Sequence, residues 1–458
     1  MTVLTDPRTV ITPATIARRP YLTPYLEPGF GSTLVRICGD TGSATAPFIP
    51  TWNIDARHHY SKDQPWNADG TLVKLEQRGG KPGDFIVDGR TWHPIMGDIG
   101  IFGQCYETRW HPLQPNVMVG WIKSVGDVVV FNPITNVEIH RVHIGNTTIS
   151  PMGEGALSED GNMLALGDTA SNALVVDIAN SRVGPLTKIV YPGDPAWTLN
   201  NLTMSPLSTS AGGYVVFGGD SDKGMVCSYG GADLALVMPR AFSLAMSHAD
   251  VGVSPAGREV YVGGARAYYG SGTFTNKDGR IISIDIATGA FTHVSMGTNQ
   301  LGAIGKESGD QHCSCRGPRG WVLTTYAGPQ EGGGQFCMEL VAWKLDGSRE
   351  CVRFGVTRTN EAGIYRAEAH GVMRRDGKAV MFASNNQWAT PGILGDPNDI
   401  KAHVYVLDSV TPPPSTQDRF YVDPAFTYQP PGAVFDHATG RIVPLPEVAR
   451  LLNTAKWS

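Results

Sequence analysis

The chain has 458 residues, of which 55 are glycine and 32 proline, with 17% charged and 41% hydrophobic. So many turn formers exclude a coiled coil or helical bundle, while the apolar share suffices for a large packed core. A net charge of −5 offers no electrostatic footprint for nucleic acid, and no window reaches the roughly 18 apolar residues of a membrane span.

In chain order, residues 1–29 read as an N-terminal arm with no basic segment leading into an apolar one, so no classical signal peptide is expected. FGSTLVRI from Phe30 reads as a strand. Seven segments then share one pattern: QPWNADGTLVKLE from Gln64, TRWHPLQPNVMVGW from Thr108, EGALSEDGNMLALGD from Glu154, NLTMSPLSTSAGGYVVFGGD from Asn201, DVGVSPAGREVYVGG from Asp250, HCSCRGPRGWVLTTY from His312 and HGVMRRDGKAVMFASN from His370. Each is a short alternating run, a polar turn and a second apolar run, the signature of a β-hairpin. Four turns carry glycine, in Asp69-Gly70, Asp160-Gly161, Ala256-Gly257 and Asp376-Gly377. Further strands follow, among them DVVVFNP at 127, RIISIDIATG at 280 and AHVYVLD at 402.

The apolar residues before the turns are Trp66, Trp110, Leu157, Met204, Val253, Cys315 and Met373, spaced 44, 47, 47, 49, 62 and 58 apart. Units of this size with about four strands suit propeller blades, whereas two-helix repeats would show a 3.6 period. The expected fold is all-β, a seven-bladed β-propeller over 30–410 with an extended C-terminal tail over 411–458. GGARAYYGSGTFTNKDG and AGPQEGGGQ read as loop insertions, and one short helix is expected near Pro446 to Asn453.

Three positions before the anchors stand Asp63, Glu107, Glu154, Asn201, Asp250, His312 and His370, on the face opposite each anchor and so toward the channel. Two positions earlier in the last three units come His248, Asp310 and Glu368. A polar lining is also what a water-filled channel would carry. Histidines and carboxylates meeting in one sector are nevertheless the composition of a divalent metal site, because imidazole and carboxylate suit Zn, Mn or Ni. His248, Asp250, His312 and His370 are the candidate ligands, with zinc the expected ion and manganese the alternative. Of the seven cysteines only Cys313 and Cys315 are close in sequence. They fall on the core face unless a bulge turns a thiolate inward, which would favour zinc.

Arg57-His58-His59-Tyr60 precedes the first inner strand, and Arg109 and His111 share the parity of Glu107. Arginine can grip a carboxylate bidentately while His or Tyr moves a proton, which suits an anionic sugar. His59, Tyr60, Arg109 and His111 are the catalytic candidates, with His58 and Glu107 beside them as substrate contacts; packing is the alternative role for each. No Walker motif, GxSxG elbow or HExxH occurs.

RRPYLTPYLEPGFGSTLVRICGD, HHYSKDQPWNADGTL, RWHPLQPN, SHADVGVSPAGREVYVGG, DQHCSCRGPRGWVL and EAHGVMRRDGKAVMFASN together resemble the seven-bladed propeller polysaccharide lyases, of the ulvan lyase type and more distantly the oligogalacturonate lyases. The resemblance spans about residues 20 to 408. It implies β-elimination at a uronate: the carboxylate is neutralised, a His or Tyr removes the C5 proton, and the 4-linked sugar leaves. It implies metal binding by His248, His312 and His370, with Asp250 or Cys315 as a fourth ligand, structural in one branch and catalytic in the other. Such lyases carry an Arg close before the motif matched by SHAD; here the nearest is Arg240, with Tyr229 upstream, and both are taken as substrate contacts.

Two functional readings follow. In one the protein is a lyase of an acidic polysaccharide. In the other it is a non-catalytic propeller, binding carbohydrate or built into a larger assembly such as a virion, with the tail docking a protein partner. Without a signal peptide the chain is expected in the cytoplasm at synthesis, reaching the outside by another route or within a virion.

Overall fold

Gly70, Gly161, Gly257 and Gly377 have φ between +74° and +77°. Each donates its N–H to the carbonyl three residues back, on Asn67, Ser158, Ser254 and Arg374, at 2.9–3.2 Å. Glycine reaches this left-handed conformation without a Cβ penalty, so the same reversal recurs from one unit to the next. The apolar residue before each turn packs inward: Trp66, Trp110, Leu157, Met204, Val253 and Met373 are buried.

In the computed structural model, residues 3–407 are described apart from 12–15, 17, 44–50, 79–82, 153–154, 220–222, 243, 269–279, 297–310, 328–334, 361–364, 387–395 and 397; beyond them 433–436 and 441–444 are described. Among the described residues the fold is all-β, with no α-helix. Five four-stranded antiparallel sheets follow one another along the chain. The first of them holds Glu107–Trp110, Met118–Ile122, Asp127–Asn132 and Val137–His143. The last holds His312–Ser314, Trp321–Thr325, Glu339–Lys344 and Cys351–Val356. Most strands pair with the next in sequence, a meander that needs only tight turns.

The two ends of this series meet in one nine-stranded sheet. Asp55–Arg57, Leu72–Arg78, Asp84–Asp88 and Pro94–Gly97 form one part; Val372–Met373, Ala379–Ser384 and Ile400–Val406 form the other. They join through a short parallel pairing of Ile400 with Asp55 and Lys401 with Ala56. The strand expected at Phe30 is Thr33–Arg36, and it pairs with Ile400–Val406 some 370 positions later. Tyr25–Leu26, inside the expected arm, adds a further strand to it.

Seven apolar clusters lie between successive units. One joins Trp66, Val73 and Phe85 to Met381 and Val404 across the chain ends; others join units one and two, two and three, three and four, four and five, five and six, and six and seven. Sheets stacked face to face bury both faces, which is why strands such as Met118–Ile122, Met163–Gly167 and Ile281–Asp285 are buried along their whole length, while an outer strand such as Val137–His143 is not. Cys313 is fully buried in one such cluster and Cys315 packs against it, so both thiols belong to the core. Burial pushes the Cys315 thiol well above its ordinary range, with Asp250 adding to the effect.

Two buried ion pairs fasten the N-terminal region. Arg358 grips Glu27 with both terminal nitrogens, and the Tyr405 hydroxyl donates to Glu27 Oε2 at 2.8 Å. Arg353 holds Glu339 at 2.7 and 2.8 Å and also donates to the carbonyls of Asp6 and Thr9. Beyond residue 410, Ala433–Asp436 pairs with Arg441–Pro444 as a hairpin; the helix expected near 446–453 lies outside the described residues, as do most of both loop insertions. Among the described residues no helix is long and apolar enough to cross a membrane.

Candidate metal centre

His312 opens its sheet's inner strand, and Glu368 and His370 stand just before Val372–Met373 in the next unit. His370 has φ +47°, and Gly371 follows it. A Cβ on Gly371 would lie 2.5 Å from Leu340 Cδ2 and 2.7 Å from Thr325 Oγ1, so only glycine lets this loop approach the preceding sheet. The approach sets the His370 ring 4.5 Å from that of His312. Glu368 Oε2 then lies 2.9 Å from His370 Nε2 and 3.3 Å from His312 Nε2. The three ligand atoms are within 4.8 Å of one another.

The first unit closes over this cluster. The Tyr60 ring is 4.3 Å from that of His370 and 5.8 Å from that of His312. Its hydroxyl is 3.4 Å from His248 Nδ1, and His248 stacks on His312 at 3.9 Å. Arg57, fully buried, donates to His370 Nδ1 and to the carbonyls of Arg366 and Glu368. His58 Nε2 donates to the His370 carbonyl at 2.5 Å. Burial pushes the His58 pKa down to about 3, reinforced by the charge of Arg57, so this imidazole stays neutral. His370 is likewise held far below the ordinary range, by burial first and then by His312 and Arg57.

Two imidazole nitrogens and a carboxylate are a donor set for a divalent cation, and their spacing matches ligands around one ion. A guanidinium only donates, so Nδ1 of His370 accepts and the ring proton sits on Nε2, shared with Glu368. For Nε2 to serve a cation, that proton would have to leave, and Arg57 would offset the charge left on the ring. Histidine ordinarily binds metals as the neutral imidazole, so this ring would give up one proton more than usual. The residues therefore fit a cation, on the condition that this proton leaves.

The expected site residues do not all meet. His312 and His370 lie in the cluster, with Tyr60, His58 and His248 against it; His248 faces Tyr60 and is not among the clustered donors. Asp250 lies outside the clustered donors. Its carboxylate takes both Arg316 nitrogens at 3.0 Å and the backbone N–H groups of Val251 and Cys315 at 2.8 and 2.7 Å, so its lone pairs are engaged away from any ion. The carboxylate that lies among the clustered donors is that of Glu368. Asp310 and Glu154 lie outside the described residues.

Arg109, His59 and Glu107 form a second, charge-compensated group. Arg109 donates to Glu107 Oε2 at 3.0 Å and to the carbonyls of Gly155 and Thr108, and lies 3.6 Å from Asp63. His59 Nδ1 is 3.5 Å and Lys74 Nζ 2.8 Å from the same Asp63 carboxylate. Burial opposes the ionisation of Asp63, but Arg109 and Lys74 outweigh it and hold the carboxyl far below its usual range. Arg109 and Lys74 thus balance the carboxylates of Asp63 and Glu107 within this group.

The remaining expectations fall away from the cluster. His111 Nδ1 accepts the backbone N–H groups of Leu113 and Gln114 at 3.2 Å, and its ring fills the space beside Gly161, so it shapes a turn. Tyr229 is buried among the third and fourth units with its hydroxyl on the Thr209 carbonyl at 2.8 Å. Arg240 is exposed on its sheet's outermost strand, bound to the carbonyls of Ile286 and Ala287. Arg57 and Glu368 were not among the named site candidates, although the sequence placed Glu368 with the histidines and carboxylates of the last three units and Arg57 in the run that suits an anionic sugar.

No family model and no curated protein sequence matches the chain. Solved structures do. An oligogalacturonate lyase in complex with manganese is similar at TM-score 0.55 and 12% identity, over 87% of this chain and 99% of that one. An oligogalacturonate lyase from Vibrio parahaemolyticus gives TM-score 0.49 and 10% identity over 84% and 96%, and the Dos1 propeller gives 0.41 and 11% over 77% and 94%. At such identities the likeness speaks for architecture alone: this chain is a β-propeller.

Proposed function

We propose that this protein is a seven-bladed propeller lyase that cleaves an acidic, uronate-containing polysaccharide by β-elimination, with a divalent cation held in its channel. The blade count is supported by the seven apolar clusters, one between each pair of successive units. The observation that carries the function is the placement of the Tyr60–His248 pair, 3.4 Å apart, against the cluster of His312, Glu368 and His370. The structural neighbour solved with manganese is an oligogalacturonate lyase, and the sequence motifs add the ulvan lyase type.

When bound, the cation supplies the positive charge that neutralises the uronate carboxylate and so acidifies its C5–H. His312, Glu368 and His370 would hold it. His248 and Tyr60 move the protons: one takes the C5 proton as the C4–O bond breaks and C4=C5 forms, and the other gives its proton to the departing sugar oxygen. Positioned acid and base groups of this kind contribute about 10²–10⁴ in rate. Arg57 is fully buried and works through His370 rather than on the sugar. The donor set suits manganese and zinc alike.

The test is incubation with oligogalacturonate, ulvan and alginate in the presence of Mn²⁺ or Zn²⁺, followed at the absorbance of a 4,5-unsaturated uronate. Growth of that absorbance with at least one polymer is expected. Silence with all three and both metals removes lyase activity and leaves the carbohydrate-binding scaffold.

A further inference from the structure

We propose that His58 is a positioning residue for His370, and that the cation affinity of the cluster depends on its Nε2–H although it provides no ligand. The inference rests on the metal reading given under Proposed function and assigns a role within that site.

His370 sits at φ +47°, in the left-handed region that a residue with a side chain seldom adopts. Such a conformation persists only where the surroundings over-determine it. Three contacts do so here. The Gly371 N–H donates to Thr325 Oγ1 at 2.8 Å, fixing the loop on the preceding sheet. Arg57 holds the carbonyls of Arg366 and Glu368 ahead of it. His58 binds the carbonyl of His370 itself, so it acts on the peptide whose orientation aims the imidazole at Glu368.

His58 is an expensive residue to keep for packing alone. It is fully buried, and its Nδ1 has no hydrogen-bond partner among the described residues. A buried polar atom left unsatisfied is unfavourable, and an apolar side chain of like volume would avoid it. The contact that such a replacement would lose is the Nε2–H to the His370 carbonyl. His58 also comes from the first unit while His370 belongs to the last, so the ligand is aimed across the junction where the chain ends meet.

The experiment compares His58→Leu with His58→Gln, whose amide nitrogen falls near the position of Nε2 and restores a donor. Mn²⁺ affinity is read by isothermal titration on the full chain, and the fold by circular dichroism and thermal melting of the metal-free protein. His58→Leu is expected to weaken Mn²⁺ binding tenfold or more, and His58→Gln to stay within about threefold of wild type. If His58→Leu does not fold, His58→Asn takes its place, because its shorter amide does not reach the carbonyl. Wild-type affinity in His58→Leu, or equal weakening in the Leu and Gln variants, overturns the role of His58 alone. A wild-type protein that binds neither Mn²⁺ nor Zn²⁺ overturns the metal reading and this inference with it.

Discussion

Glu368 joins the two histidines of the cluster through one oxygen, 2.9 Å from His370 and 3.3 Å from His312. Glu368→Gln keeps the size and removes the charge, so bound Mn²⁺ measured by elemental analysis should fall to background after dialysis while the melting temperature holds. Tyr60→Phe separates chemistry from binding: it removes the hydroxyl that meets His248. If the lyase reading holds, kcat should drop about 100-fold or more with metal content unchanged; a loss of metal would make Tyr60 part of the metal site instead. At this scale the sequence was half legible. His312 and His370 could be located because strand parity put them on one face with their neighbours. Asp250 has the same parity, yet Arg316 and two backbone amides consume its carboxylate. Parity says where a side chain points and nothing of which counter-charge the fold delivers to it.

Among the elements, the hairpins were the most readable, since turn chemistry is local and four glycines at φ near +75° mark it. The seam was not. Its strand Thr33–Arg36 pairs with residues more than 350 positions away, and Glu27 finds Arg358 at a similar remove. Both partners of that ion pair are buried, at 2% and 4% side-chain exposure. Removing one leaves the other charged and unpaired, a loss of about 3–5 kcal/mol, whereas replacing both with apolar residues is close to neutral. Glu27→Leu should therefore lower stability to urea by that amount, and Glu27→Leu with Arg358→Met should regain most of it. Equal stability of the single variant and wild type would mean that the pair does not fasten the seam.

For the molecule as a whole, buried neutral histidines set the response to acid. His58 and His403 are both pushed down to about 3 by burial, from an ordinary value of 6.5. Below pH 6.5 the unfolded chain takes up these protons and the fold does not. The stability they confer is thus complete above pH 6.5 and is lost as pH falls toward 3. Asp84, raised to about 6 mainly by burial, runs the other way and offsets part of the loss. The melting temperature should decline steadily between pH 6.5 and 4.5, and His403→Phe, beside the stacked Phe382, should flatten the decline; a flat wild-type profile would contradict the assignment. The sequence by itself determined an all-β chain of repeated hairpins and two histidines of the buried cluster, because turn glycines and strand alternation act over a few residues. The tertiary structure alone decided which charges are already matched, that Glu368 and not Asp250 lies between His312 and His370, and that Arg57 and His58 reach His370. Those outcomes depend on which units face one another once the chain ends meet, and no local rule of spacing carries that information.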